Sequence, residues 1–171
     1  VCISHSLEKL DLGTLKLKFP NCTGAKLTEA IGIGANLRGG NYTEADLSGA
    51  DLTEANLEGA IFQRAHLDRA TLRRANLKRA RMSGVMAPAA DFSGTNLVGA
   101  ECKEADFSGA DFRFSNLVGA VLDGSLFKGA NVSHADFSEA TLGGGRCAAA
   151  EGAGGEADRP PPPGAAAGGR G

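Results

Sequence analysis

Ala45-Asp46-Leu47-Ser48-Gly49, Ala50-Asp51-Leu52-Thr53-Glu54 and Ala55-Asn56-Leu57-Glu58-Gly59 follow one another without a spacer. Each unit of five opens on a small residue, continues with Asp or Asn, and places a large apolar residue third. Taking that third residue as the centre of the unit, the frame extends to 24 centres between Leu27 and Leu142, of which 18 are Leu or Phe. The residue two places before the centre is Ala in 19 of the 24 units, and only Ala87 and Ala89 fall elsewhere in the span. A bias in composition would scatter alanine over all five positions, so the phase reports a repeating structure. The exceptions at the small position are Gly40, Val85, Thr95, Ser115 and Ser125, all compact; those at the centre are Gly32, Tyr42, Met82, Ala87, Cys102 and Val132. The weakest unit is Val85-Met86-Ala87-Pro88-Ala89, where Pro88 lacks a backbone donor. Even there nothing is inserted.

A period of five matches neither the 3.6 of a helix nor the 2 of a strand. Two inward residues in five, one small and one large, fit a short extended segment followed by a corner. Four such sides close a turn of about 20 residues, which predicts an all-β coil with neighbouring turns at the strand spacing of about 4.8 Å. Residues 20 apart should then stack. Positions 17, 37, 57, 77, 97 and 117 are all Leu and end in Phe137, while 36, 56, 76, 96 and 116 are all Asn and end in Asp136. Phe92 falls over Phe112 and Phe107 over Phe127. Opposite charges align as Arg38–Glu58, Glu44–Arg64, Glu54–Arg74, Glu58–Lys78, Arg81–Glu101 and Lys103–Asp123, against one like-charge pair, Asp91 over Asp111.

This A-[DN]-[LF]-x-x pattern resembles the pentapeptide-repeat proteins. The resemblance covers residues 25–142 and implies a right-handed quadrilateral β-helix, a solenoid of about six to seven coils. Residues 1–24 read as an irregular N-terminal coil or cap. Leu7, Leu12, Leu17 and Cys22 keep the centre phase there, but Leu10, Leu15 and Pro20 replace the small residue. Residues 143–171 form a Gly/Ala/Pro-rich stretch, ending past Pro160 to Pro163, that cannot bury a core and reads as a disordered tail.

Composition narrows the function classes. In 171 residues there are 25 Gly and no Trp, which argues against an ordinary packed α/β enzyme. Eighteen basic against twenty acidic residues leave a net charge of −2, so bulk charge favours neither nucleic acid nor a membrane surface. No apolar run approaches the roughly 20 residues of a membrane span. A chain opening on Val1 with no signal-peptide pattern reads as a processed product or a fragment.

The residues that usually carry chemistry do not converge. Cys22 and Cys102 share an inward column four turns apart, roughly 19 Å at the strand spacing, which forbids a bond between them. Cys2 and Cys22 would be neighbours in that column if the frame reached the start; two buried thiols are preferred there to a disulfide. Cys147 lies in the tail, and no spacing resembles a zinc site. His66 and His134 point outward on different sides, and His5 lies in the irregular start. No nucleophile–base set or phosphate loop is present, so no catalytic residue, metal or cofactor is expected. Asn21-Cys22-Thr23, Asn41-Tyr42-Thr43 and Asn131-Val132-Ser133 match a glycosylation acceptor pattern that the repeat itself generates.

One charge block stands out. Arg64, Arg69, Arg73, Arg74, Lys78, Arg79 and Arg81 fall within one 20-residue turn, and Arg64, Arg69, Arg74 and Arg79 share one repeat position on four successive sides. They should form a belt, flanked by Glu44, Glu54 and Glu58 before it and by Glu101 and Glu104 after it. Axial pairing that sets coil register explains most of the belt. Arg69, Arg73 and Arg79 lack an acid 20 residues away, so they carry the case for docking another protein.

The leading function is a non-catalytic structural scaffold or protein–protein interaction module. The resemblance also implies two alternatives, a DNA-mimicking topoisomerase (gyrase) inhibitor and the substrate-side module of a BTB-type ubiquitin-ligase adaptor. Mimicry needs acidic faces, whereas residues 25–142 carry 12 basic and 15 acidic side chains with a positive belt in the middle. The expected partner is a protein, with nucleic acid disfavoured, no membrane insertion, and an end-to-end homodimer compatible with exposed coil ends. Thylakoid lumen and cytoplasm both suit a soluble chain of this kind.

Overall fold

The computed structural model describes residues 6–13 and 20–144. Throughout them, a residue before a centre pairs in parallel with the one 20 residues on, from Ser6–Lys26 through Asn36–Asn56 and Asn56–Asn76 to Val121–Thr141. The hydrogen bonds are regular. The Leu57 amide donates to the Asn76 carbonyl (2.8 Å), the Asn76 amide donates back to Ala55 (2.9 Å), and Gly59 donates to Lys78 (2.9 Å). Within a unit, the amide of the next small residue closes a β-turn onto the centre, as from Ala60 to the Leu57 carbonyl (2.9 Å). A turn every five residues and a pairing every 20 give four sides. Side 1 carries the centres Leu27, Leu47 and Leu67; side 2 carries Gly32, Leu52 and Leu72; side 3, Leu37, Leu57 and Leu77; and side 4, Tyr42, Phe62 and Met82.

The lumen is filled by the small residues and centres, which are buried from Cys22 through Ala130. Each fully buried Leu or Phe contributes about 1.5–3 kcal/mol, and the contributions accumulate coil by coil. The aromatics stack as the columns predict, Phe92 on Phe112 at 4.8 Å and 3°, and Phe107 on Phe127 at 5.3 Å. They also meet edge to face across the lumen, Phe107 lying 5.1 Å from Phe112 at 88°.

The exceptions to the repeat compensate one another. A Cβ on Gly40 would stand 2.6 Å from the Tyr42 ring, so the glycine makes room for the large centre two residues later. A Cβ on Gly32 would stand 2.8 Å from Leu52, whose side chain occupies the space that the missing centre leaves. Thr95 and Ser115 at small positions donate their hydroxyls to the carbonyls of Phe92 (2.7 Å) and Phe112 (2.6 Å), and Ser125 does the same to Leu122. Buried hydroxyls thereby find partners within their own turns.

The Asp or Asn before each centre has a local task. Asp51 Oδ1 accepts the Thr53 amide (3.0 Å) and hydroxyl (2.6 Å), and Asn41 does the same for Thr43. That bond generates the Asn-x-Ser/Thr matches seen in the sequence. It also explains Pro88: the amide after the centre takes no part in the backbone ladder, and Met86 offers it no side-chain acceptor. Proline costs nothing there, and its carbonyl still accepts from the Arg69 amide (3.0 Å).

Part of the irregular coil expected for 1–24 lies outside the described residues, including Leu15 and Leu17; Ser6, Asp11 and Asn21 pair in the common register. Pro20 is buried and Leu10 half-buried. The tail expected for 143–171 lies outside the described residues beyond Gly144. Among the described residues no helix is long and apolar enough to cross a membrane.

The lumen yields three expected outcomes. Leu77, fully buried in mid-column, should tolerate no charge: Leu77→Asp is expected to cost more than about 4 kcal/mol in denaturant unfolding. The Tyr42 hydroxyl is buried without a hydrogen-bond partner among the described residues, so Tyr42→Phe should raise stability by about 1 kcal/mol. Gly40→Ala should lower it in the same assay.

Candidate functional site: the basic coil

The arginines of the belt sit at turn corners whose backbone is left-handed. Arg64, Arg69, Arg74 and Arg79 have φ of 55°, 54°, 54° and 56°, and the same position is glycine in thirteen other turns of the described chain. A side chain at such a φ carries roughly 1 kcal/mol or more of strain, which glycine avoids. At two of the four corners an ion pair offsets it. Arg64 grips Glu44 Oε1 through Nη2 (2.6 Å) and Nε (3.1 Å), and Arg74 reaches Glu54 at 3.7 Å. Arg81, on side 4, lies 3.8 Å from Glu101. All these pairs are exposed, so each adds about 0–1 kcal/mol and mainly fixes register.

The structure corrects the sequence reading of the belt in two places. Arg73, expected to lack an acid, reaches diagonally to Asp91 at 3.6 Å, a partner 18 rather than 20 residues away. Lys78, expected to pair with Glu58, does not, because Glu58 binds Arg38 at 3.4 Å. The belt cations without an ion pair among the described residues are therefore Arg69, Lys78 and Arg79. Ten residues are half a turn, so Arg69 and Arg79 occupy opposite corners. A flat partner meets one or the other. Lys78 and Arg79 are adjacent on side 3, which makes that corner the denser free charge.

The column Asp91–Asp111, a like-charge stack in the sequence, is neutralised from both sides. Arg113 forms a two-point bond to Asp111 (Nη2 to Oδ2 2.7 Å, Nε to Oδ1 3.0 Å), while Arg73 holds Asp91. Burial pushes the Asp111 carboxyl up, but the hydrogen bonds and charge of Arg113, with Arg73 beyond, outweigh it and hold it below its ordinary value.

Cys102 is a free thiol in the lumen, pushed up to about 12 by burial and then by the Glu101 charge, and is therefore unreactive. Cys22 is not the free buried thiol that was expected. It is disulfide-bonded. His66 sits 3.7 Å from Asp68, His134 stacks on Phe114 (5.0 Å, 3°), and His5 lies outside the described residues. Among the described residues no three His, Cys, Asp or Glu side chains gather as metal ligands do. Sequence reasoning missed the Phe114–His134 pair, although both are aromatic, 20 residues apart and at the corner position.

The family profile for pentapeptide repeats matches 8 copies, over residues 21–53, 33–67, 50–86, 89–124 and 105–144. The chain belongs to the pentapeptide-repeat family. Such proteins are generally structural or interaction modules. Solved structures of several members are similar. HetL, involved in heterocyst differentiation regulation in the cyanobacterium Nostoc sp. PCC 7120, is 24% identical, with 83% of this chain and 84% of that one covered and a TM-score of 0.49. A pentapeptide repeat protein of the Arabidopsis thaliana thylakoid lumen is 26% identical, with 65% and 70% covered and a TM-score of 0.39. QnrB1, a plasmid-mediated fluoroquinolone resistance protein, is 20% identical, with 82% and 88% covered and a TM-score of 0.42. Among curated proteins, no sequence matches.

The Asp111 shift has a checkable sign. A carboxyl held below its ordinary pKa of about 3.9 gives stability that is complete above that pH and is lost as pH falls through the lower folded value. As pH falls below about 4, the melting temperature of Asp111→Asn should therefore fall less steeply than that of the parent chain.

Proposed function

We propose that this pentapeptide-repeat protein is a right-handed, four-sided rod that acts as a non-catalytic docking module, binding an acidic partner protein through the free cations of its basic coil. One observation carries the reading: Arg69, Lys78 and Arg79 have no ion pair among the described residues, in a fold that pairs most neighbouring charges along its axis. Arg69 and Arg79 also retain a left-handed backbone without an ion pair among the described residues to offset it. Lys78 with Arg79 is the stronger half, since two adjacent cations meet one carboxylate-rich surface. Paired Arg64, Arg73, Arg74 and Arg81 contribute framing and register.

The BTB-adaptor reading rests on a further domain beyond these residues, and gyrase mimicry is opposed by the positive coil amid acidic ones. A disulfide at Cys22 supports an oxidising compartment over a reducing cytosol.

The test is affinity capture from native lysate with the parent chain, Lys78→Glu/Arg79→Glu and Arg69→Glu, quantified by mass spectrometry. The expected result is a protein whose recovery falls at least tenfold with the Lys78/Arg79 variant, about 1.4 kcal/mol of binding. Equal recovery in every lane would overturn the docking site. A topoisomerase held by all three proteins would favour mimicry instead.

A further inference from the structure

Side 3 differs from the other sides along its C-terminal half. Its outward residues run in four rows at about 4.8 Å spacing. The first row ends in Lys78 and Arg79, the next two read Asn96-Leu97-Val98-Gly99 and Asn116-Leu117-Val118-Gly119, and the last ends in Ser138 and Glu139. The two middle rows are identical and uncharged, and their Val and Gly are only partly exposed. The face is therefore level in the middle, cationic at one end and anionic at the other. Neither Arg79 nor Glu139 has an ion pair among the described residues.

The corner leading into this face carries an apolar knob. Phe114 is 68% exposed and holds a left-handed backbone with φ of 59°. It lies flat against His134, at 5.0 Å and 3°. One coil earlier the same corner is Gly94, which has no side chain.

We infer that side 3 is a self-association face, on which a second copy of this chain packs antiparallel. A two-fold axis running across the face between the rows of Leu97 and Leu117 brings each middle row onto the other row of the second copy. Val98 then meets Val118, and Phe114 covers the bare corner at Gly94. The same operation sets Arg79 against Glu139 at both ends, so two charges unpaired within each copy are paired between copies. The surface is complementary to itself, as an isologous dimer requires. A parallel arrangement would gather both Arg79 side chains in one row and both Glu139 side chains in another, which the charges oppose.

Size sets the strength. Four rows of about 4.8 Å by a side of about 10 Å offer about 200 Å² per copy, against the roughly 800 Å² per partner of a stable complex. The dimer is therefore weak, forming at about 0.1–1 mM, and it loosens as salt screens the end pairs. It does not depend on the docking function proposed above, although both use Arg79.

Sedimentation equilibrium of the full chain up to about 1 mM, at low and at high salt, tests the inference. The parent chain should dimerise. Arg79→Glu and Glu139→Arg should each weaken the dimer at least tenfold, and the double reversal Arg79→Glu/Glu139→Arg should restore it. Phe114→Ser should weaken it as well, while Arg69→Glu, on the opposite corner, should leave it unchanged. All these side chains are exposed, and thermal melting checks that each variant is folded. A parent chain monomeric at 1 mM, a dimer indifferent to Arg79→Glu, or a double reversal that fails to rescue would each overturn the face. The double reversal also separates the two proposals, because it restores the dimer and leaves partner docking impaired.

Discussion

Two side chains of unequal size must enter the lumen from every five residues, and the backbone must then turn a corner before the next pair arrives. The small residue lets the chain pass close beneath its neighbour, and the Leu or Phe fills the centre. Amides of one coil meanwhile bond carbonyls 19 ahead and 21 behind, as Leu57 and Asn76 do. Since inward positions are repeated along each column, any one coil leaves the next the same space to fill. Departures are tolerated when they come in compensating sets, as with Gly40 and Tyr42, or with Met86 and Pro88.

This constraint explains why the interior was legible. Phase alone assigned Ala and Leu to the lumen, and the all-Leu and all-Asn columns established the 20-residue turn that the backbone pairings then display. The surface obeys no such rule. Glu58 lies one turn from both Arg38 and Lys78, and a column cannot say which cation it takes; the structure gives it to Arg38. Arg73 finds Asp91 on a diagonal, because a long side chain samples more than the position directly above it. The column likewise leaves open whether Cys22 is bonded, and the structure shows that it is. The candidate site was thus half readable: the belt was visible, and the choice of which cations remain free was not.

Charge pairing along the axis and docking between molecules compete for the same side chains. At the corners of Arg64 and Arg74 the rod pairs its own charges through exposed ion bonds. At Arg69 and Arg79 it does not. Such local failures of internal pairing break the four-fold sameness of a rod built from equivalent units.

The separation between a lumen that repeats every five residues and a surface that repeats every 20 bears on how such a chain changes length. Deleting one five-residue unit from the middle keeps the small residues and the large centres in phase, so each side still sends one small and one large side chain inward, although the all-Leu column of side 3 would be broken at the cut. Everything beyond the cut, however, would swing a quarter turn about the long axis. A cut between residues 44 and 64 would take Arg64 off Glu44, and a cut between residues 79 and 139 would take Glu139 off the side that bears Arg79. Only gain or loss in steps of four units preserves both levels. The near-identity of 91–100 and 111–120, one whole turn apart, is the mark that growth by complete turns would leave.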